Sequence, residues 1–235
     1  MSLFRRTPEQ RRQRAYRRVS GGPLGAYLAA PLASPETPLT DLPLLAVDIE
    51  TTGLDPRTDR LLSIGFVPVD GTQIVLGGAR HILVAGGGGP VGQSATIHGL
   101  TDDILSTGVG LTEAVAELLD ALTGRVLLAH FARIETGFLG TACERLWGAG
   151  MPCATVDTFE LQRRLITQRW GSEIADGALR LWTARGRYGL PAYPAHEALT
   201  DAIACAELYL AQVAELAAAD QGRADKPLTL GQVLS

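Results

Sequence analysis

The chain reads as an α/β protein built on a mixed five-stranded sheet flanked by helices. Three observations predict this. An apolar run over Leu44–Glu50 looks like a buried strand, and two further strand-like runs follow, joined at Asp70-Gly71. From Leu111 onward, strand-like and helical patterns alternate. Hairpin-linked strands lie antiparallel, whereas strand–helix–strand units make parallel neighbours, so a sheet containing both is mixed.

Each element can be justified in order. Thr7-Pro8-Glu9-Gln10 has the form of a helix start, with Thr7 as cap, Pro8 in the first turn and Gln10 closing a capping box. A short basic helix ending near Gly21-Gly22 follows. Between Pro23 and Pro43, five prolines and little periodicity predict an extended connector. The chain therefore divides into a basic N-terminal helix with Pro-rich connector (1–42) and a catalytic-type domain (43–235). Leu44–Glu50 is the first strand, Arg60–Val69 the second, and Gln73–Val84 the third, interrupted at Gly77-Gly78. Asp70-Gly71 is a hairpin turn. Gly86–Gly89 lacks the Lys-Ser/Thr of a phosphate-binding loop and receives no nucleotide role. Leu111–Leu122 is an amphipathic helix stopped by Gly124. Arg125–Ala129 is a strand, Ile134–Gly148 a helix and Ala154–Asp157 a strand. Helices then cover Phe159–Gln168, a piece near Gly177–Arg185, and Ala198–Ala219. No internal repeat is present.

Composition narrows the function classes. With 235 residues, 46% hydrophobic and 20% charged, the chain can bury one complete core. Cys143, Cys153 and Cys205 form an odd set without metal-ligand spacing, as expected of reduced thiols. No apolar run reaches about 18 residues and no secretory signal is visible, so a cytoplasmic protein with no membrane partner is expected. The net charge of −4 hides an asymmetry. Residues 1–18 hold seven arginines and one acid, Glu9, leaving 14 basic and 24 acidic residues elsewhere, a net of −10. Such an arm grips nucleic-acid phosphates, packs on an acidic face, or is a solvated tail; the sequence leaves these open.

Chemistry concentrates where the first strand ends. Asp48 and Glu50 are separated by one residue, so on a strand they face the same way, about 7 Å apart along the backbone. Like charges that close are costly without a cation, and clustered hard oxygens suit Mg²⁺ or Mn²⁺. A lone Asp-x-Glu pair is equally well a strand end facing water. Two more segments shift that balance: Val126–Glu135, an apolar run that turns polar and reaches an acid, and His196-Glu197-Ala198-Leu199-Thr200-Asp201-Ala202, which opens an Ala/Leu-rich helix.

These three blocks, in this order, resemble the three motifs of the DEDDh exonuclease family, which includes the proofreading epsilon subunit of DNA polymerase III, ribonuclease T and oligoribonuclease. The resemblance spans roughly Pro43 to Leu216. Ile97-His98-Gly99-Leu100-Thr101, Thr155-Val156-Asp157-Thr158 and Gly189-Leu190-Pro191 are similar to secondary family signals. It implies a ribonuclease-H-like fold and a metal-dependent 3′→5′ exonuclease releasing nucleoside 5′-monophosphates from single-stranded DNA or RNA 3′ ends, DNA favoured. Asp48, Glu50, Glu135 and Asp201 become the four acids for two Mg²⁺ or Mn²⁺ ions, and His196 the general base. Asp48 would bridge both ions, Glu50 and Asp201 would complete one, and Glu135 would reach the other largely through water. Thr51, Thr52, Gly53 and Leu54 would meet the 3′-terminal nucleotide; Leu54 is equally an ordinary turn residue, and His98 equally a solvent-facing loop histidine. Glu135 departs from the family, which usually has aspartate there.

Physical chemistry agrees with those roles. Phosphodiester hydrolysis needs an activated water, charge neutralisation and help for the leaving oxygen, all of which paired divalent ions supply. Histidine, with an ordinary pKa of about 6.5, accepts a proton at neutral pH. His196 and Asp201, five residues apart, are about 500° apart on a helix. His196 therefore belongs to the loop before the helix and Asp201 to its first turns. His81 and His130 carry no such argument; His130 packs or caps. Asp102 and Asp103 read as a helix start.

A rival class remains: an inactive or weakly active exonuclease-like accessory module of a repair or replication complex, for which Glu135 and the basic arm speak. DNA and RNA are not separable, because discrimination rests on a 2′-hydroxyl contact the sequence does not identify. The chain ends about 15 residues past its last helix, which suggests a stand-alone nuclease rather than one with a long polymerase-binding extension.

Overall fold

The computed structural model describes residues 7–19, 21–86, 99–170, 174–194, 196–219 and 226–235. Its sheet has the strand order β3-β2-β1-β5-β6, with β4 also paired to β2. The strands are β1 (Pro43–Thr51), β2 (Leu61–Asp70), β3 (Gln73–Ile74), β4 (Arg80–Leu83), β5 (Val126–Ala129) and β6 (Thr155–Asp157). β1 runs antiparallel to β2 and parallel to β5, and β5 runs parallel to β6. The expected mixed sheet is therefore present. Its third strand is split in two by a 3₁₀ turn at Leu76–Gly78, which leaves β3 and β4 as short successive partners of β2.

The helices are α1 (Pro8–Tyr16), α2 (Gly22–Ala29), α3 (Asp102–Leu105), α4 (Leu111–Leu122), α5 (Arg133–Trp147), α6 (Thr158–Trp170), α7 (Leu181–Arg187), α8 (Ala198–Ala219) and α9 (Leu230–Val233). α4 and α8 have the bounds their periodicity predicts, and α5 ends where Gly148 turns left-handed at φ 79°.

Alternation along β1 builds two cores. Leu45, Val47 and Ile49 pack with Phe66, Leu127 and residues of α2, α4 and α5 on one face. Leu44 and Ala46 pack with Val67, Leu128, Val156 and residues of α6, α8 and α9 on the other. Asp48 and Glu50 continue the Leu44–Ala46 row, so they point to the face that α8 covers.

Two expectations for the N-terminal region need correction. α1 begins at Thr7 with the expected capping box but ends at Tyr16, short of Gly21. The segment read as an extended connector forms α2, whose Leu24, Tyr27 and Leu28 are buried in the core. Gly22, Pro23 and Gly25 masked this helix, and its exposed face carries Pro23, Ala26 and Ala29 rather than polar residues, so no amphipathic contrast marks it. α1 is not a solvated tail. The buried Arg12 donates to the carbonyls of Tyr27, Ala30 and Pro152 and lies 4.3 Å over the Tyr27 ring.

The C-terminal segment closes the sheet edge. Leu234 bridges to Val156, and the Ser235 N–H donates to the Thr155 carbonyl at 3.1 Å, covering β6. α8 is 22 residues long and by length and composition could cross a membrane, but here it lies across β1 and β2 and carries buried Asp201.

Candidate functional site

Three of the five predicted catalytic residues meet in one place. Asp48 and Glu50 at the end of β1 and Asp201 in the first turns of α8 each offer a carboxylate oxygen, and these oxygens lie within 4.8 Å of one another. A backbone device allows it. Gly65 of β2 pairs with Asp48, and a Cβ there would stand 2.1 Å from both the Ala198 carbonyl carbon and the Leu199 nitrogen. Only glycine lets the start of α8 settle onto the sheet at that point, and this close approach sets the position of Asp201.

Glu135 lies outside the 4.8 Å group yet beside it. It is buried in the first turn of α5, and its charge is the strongest acting on Asp48. The start of α5 is set by Asp157 at the end of β6. One Asp157 carboxylate oxygen accepts the N–H groups of Phe131 (2.9 Å) and Phe159 (2.9 Å), and the other accepts that of Ala132 (3.0 Å). Phe131 adopts φ 70°, a left-handed backbone that a phenylalanine holds only under constraint, and this grip supplies it. A single carboxylate thus fixes the turn from β5 into the helix bearing Glu135.

Crowding four acids away from water disfavours their charge. Burial pushes Glu50 up to about 8, with the Asp201 charge adding to it. Glu135 is also pushed up to about 8, first by burial and then by Asp157. Asp48 lies well above the usual carboxylate range through burial and then the charges of Glu135, Asp201 and Glu50. Asp201 is raised by burial, an effect partly offset by the His196 N–H that it accepts at 3.1 Å.

Two oxygens test whether a cation fits. Glu135 Oε2 and Asp201 Oδ1 are fully buried and find no hydrogen-bond donor among the described residues. Buried carboxylate oxygens left in this way are costly unless a cation meets them. A hard-oxygen set of this kind suits Mg²⁺ or Mn²⁺.

His196 sits as expected in the loop before α8, exposed, with φ 70°. Its backbone N–H ties the loop to Asp201. Sequence reasoning missed the supports of this loop. Arg185 of α7, 1% exposed, donates to the carbonyls of Pro191 and Ala204, pairs with Glu207 at 2.8 Å and lies 5.0 Å over the Tyr193 ring. His81 Nδ1 stands 3.5 Å from Glu197 Oε1, and Thr200 Oγ1 donates to Glu197. No local pattern marks Arg185 or His81, because their partners are 6 to 116 residues away in sequence.

The turn after β1 is closely knit. Thr51 Oγ1 donates to the Gly53 carbonyl at 2.6 Å, and Thr52 Oγ1 accepts the Arg60 N–H at 2.9 Å. A Cβ on Gly53 would meet the Asp59 carboxylate at 2.5 Å, and that carboxylate accepts the Asp55 N–H. Leu54 projects from the turn, 77% exposed. His98 lies outside the described residues. His130 is buried against Phe159 with Nδ1 2.8 Å from Thr158 Oγ1, and burial pushes it down to about 4. Asp102 and Asp103 start α3, capped by Thr101.

Comparison with known proteins agrees with this arrangement. The RNase T family model, described as "Exonuclease", matches residues 45–209. Similar relatives include a PolC-type DNA polymerase III of Thermotoga maritima, 29% identical over 75% of this chain but only 12% of that protein. Another is the DNA polymerase III subunit epsilon of Treponema pallidum, 28% identical over 72% of this chain and 75% of that one. The chain thus spans about an eighth of the polymerase and three quarters of the subunit. Among solved structures, E. coli Exonuclease I in complex with a dT13 oligonucleotide superposes with a TM-score of 0.62 at 16% identity, covering 72% of this chain and 40% of that one. Exonuclease X with 5′-overhanging duplex DNA gives a TM-score of 0.55 at 21% identity, covering 73% and 92%. These structures share the ribonuclease-H-like fold expected from the order of strands and helices. With the model matching from β1 to α8, the chain belongs to the exonuclease family.

Proposed function

We propose that this protein is a DEDDh-type 3′→5′ exonuclease on single-stranded nucleic acid, DNA favoured, releasing nucleoside 5′-monophosphates. The observation that carries this reading is the meeting of Asp48, Glu50 and Asp201 within 4.8 Å. Glu135 standing beside Asp48 supports it. Asp48, Glu50, Asp201 and Glu135 would hold two Mg²⁺ or Mn²⁺ ions. Bound there, divalent ions acidify water and neutralise charge on the phosphoryl group.

The chain's own residues do the rest. His196, on its exposed loop, accepts the proton shed by the water that attacks phosphorus while the P–O3′ bond breaks. Asp201, accepting the His196 N–H, keeps that loop over the acids. Thr51, Thr52 and Gly53 present a rigid turn to the terminal nucleotide, with Leu54 wedged against its base. A cytoplasmic location and replication or repair partners accompany this reading.

Incubating the protein with 5′-labelled DNA and RNA oligonucleotides in Mg²⁺ or Mn²⁺ tests it. The expected product is a ladder shortening from the 3′ end, faster on DNA. Intact substrate with both metals would favour the accessory-module reading, and shortening from the 5′ end would refute the direction.

A further inference from the structure

α1 is anchored by one buried arginine and presents the others to solvent. Arg12 faces the domain, while Arg11 and Arg14 lie three apart on another face of α1, and Arg17 and Arg18 extend the run in the turn at its end. All four are exposed. Arg18 reaches Glu144 at 2.8 Å; Arg11, Arg14 and Arg17 make no salt bridge among the described residues. Gln10, Gln13, Arg14, Arg17 and Arg18 line a shallow groove of about 640 Å³. A capping box and three carbonyl contacts from Arg12 hold α1 in place.

We propose that this stripe is an anchor for the phosphate backbone of the strand whose 3′ end enters the acid cluster. Charge complementarity commits it to a polyanion. Outside residues 1–18 the chain carries a net of −10, which repels nucleic acid, and the exposed arginines offset this where guanidinium forks match phosphate. Position sets its reach. Glu144, which Arg18 touches, follows Glu135 by nine residues on α5, about 14 Å along the helix. From Arg11 to Arg18, through the end of α1 and the turn after it, is about 10 Å more, enough for two or three phosphates. The anchor therefore serves upstream phosphates, not the terminal nucleotide. Its benefit to turnover rests on the exonuclease reading above.

The test compares the full chain with the Arg11→Gln/Arg14→Gln/Arg17→Gln variant on 5′-labelled dT20 and dT3. With Ca²⁺ replacing Mg²⁺, anisotropy reads binding without turnover. The variant is expected to bind dT20 at least ~10-fold more weakly, and its slope of log affinity against log salt should shrink by about 2, given ~0.7 per phosphate. Hydrolysis of dT3 in Mg²⁺ and the melting temperature should be unchanged. Equal dT20 affinity and slope would overturn the anchor, as would equal losses on dT3 and dT20. Polyglutamate binding the stripe more tightly than dT20 would also overturn it, making the occupant an acidic protein. If the wild type leaves dT3 intact yet shows stripe-dependent dT20 binding, the anchor stands and the exonuclease reading fails.

Discussion

The two faces of β1 differ only at their ends. On one face Leu45, Val47 and Ile49 stay apolar to the last turn of the strand and meet α2, α4 and α5. On the other, Leu44 and Ala46 are apolar and give way to Asp48 and Glu50 under α8. The first face is a core throughout, while the second is a core that becomes a site. The change needs no loop, only two substitutions in a period-2 pattern and a helix close enough to answer them. Gly65 and Ala198 provide that closeness.

The largest expected effect separates the faces outright. Asp48→Ala or Asp201→Ala should abolish turnover while leaving the metal-free protein as stable as wild type or more so, since one of several crowded like charges is gone. Leu45→Ala on the opposite face should cost about 2–5 kcal/mol of stability and leave the chemistry of the remaining folded protein intact. Denaturation curves alongside single-turnover rates would check both. The comparison breaks if the aspartate variants unfold or keep working.

Next comes the loop over the site. His196→Ala should lower the rate by about 10²–10⁴-fold with metal affinity nearly unchanged. A variant that keeps the wild-type rate with chemistry rate-limiting would argue against the assigned role.

Two substitutions then probe placement to within an ångström. Gly65→Ala should push the start of α8 off the sheet and cost about 10²-fold in rate, as a misplacement of about 1 Å does. Glu135→Asp, though it restores the residue usual in the resembling family, should cost a similar factor. Its backbone, fixed by Asp157, is set for the longer arm, and Mn²⁺ should rescue it better than Mg²⁺, whose geometry is stricter. Wild-type rates in Mg²⁺ for Glu135→Asp would show that the helix tolerates either length.

The last test concerns pH. Glu50 and Glu135 are raised to about 8 in the fold, so it favours their protonated forms. Their contribution is fully present below the unfolded carboxylate range, about 4.3 for Glu, and is lost as pH rises through about 8. Without metal, the melting temperature should fall as pH rises from about 5 to about 9. Mg²⁺ or Mn²⁺ should flatten the slope. A metal-free Tm that rises over this range would contradict the assigned burial.

Legibility followed the range of the interactions. Apolar runs marked β1 and β2, which are buried on both faces, and helical spacing marked α4 and α8. α2 escaped because its short sequence Gly22–Ala29 contains glycine and proline and has no polar residue on its exposed face. The pairing of Asp48 with Glu50 followed from strand geometry alone. Their meeting with Asp201 came only from family resemblance, since nothing local links β1 to α8. Asp157 drew notice only as a strand-ending residue, and its grip on Phe131 and Ala132 shows only once β5 and β6 are side by side. Gly65, Arg185 and His81 left no signal, because a close approach is invisible until both backbones are in place.

The distance along the chain between the partners of the acid cluster has a consequence for synthesis. Asp48 is made early and Asp201 comes 153 residues later, on the long helix α8. As the chain emerges, β1 and β2 pair by a hairpin, and β5 and β6 follow through α5, before any of α8 exists. A chain that stops short of α8 therefore carries three of the four acids, Asp48, Glu50 and Glu135, and lacks Asp201 to complete them. On the proposed reading, cutting power arrives only once α8 has been made, and a copy that stops before it is harmless to the nucleic acid around it.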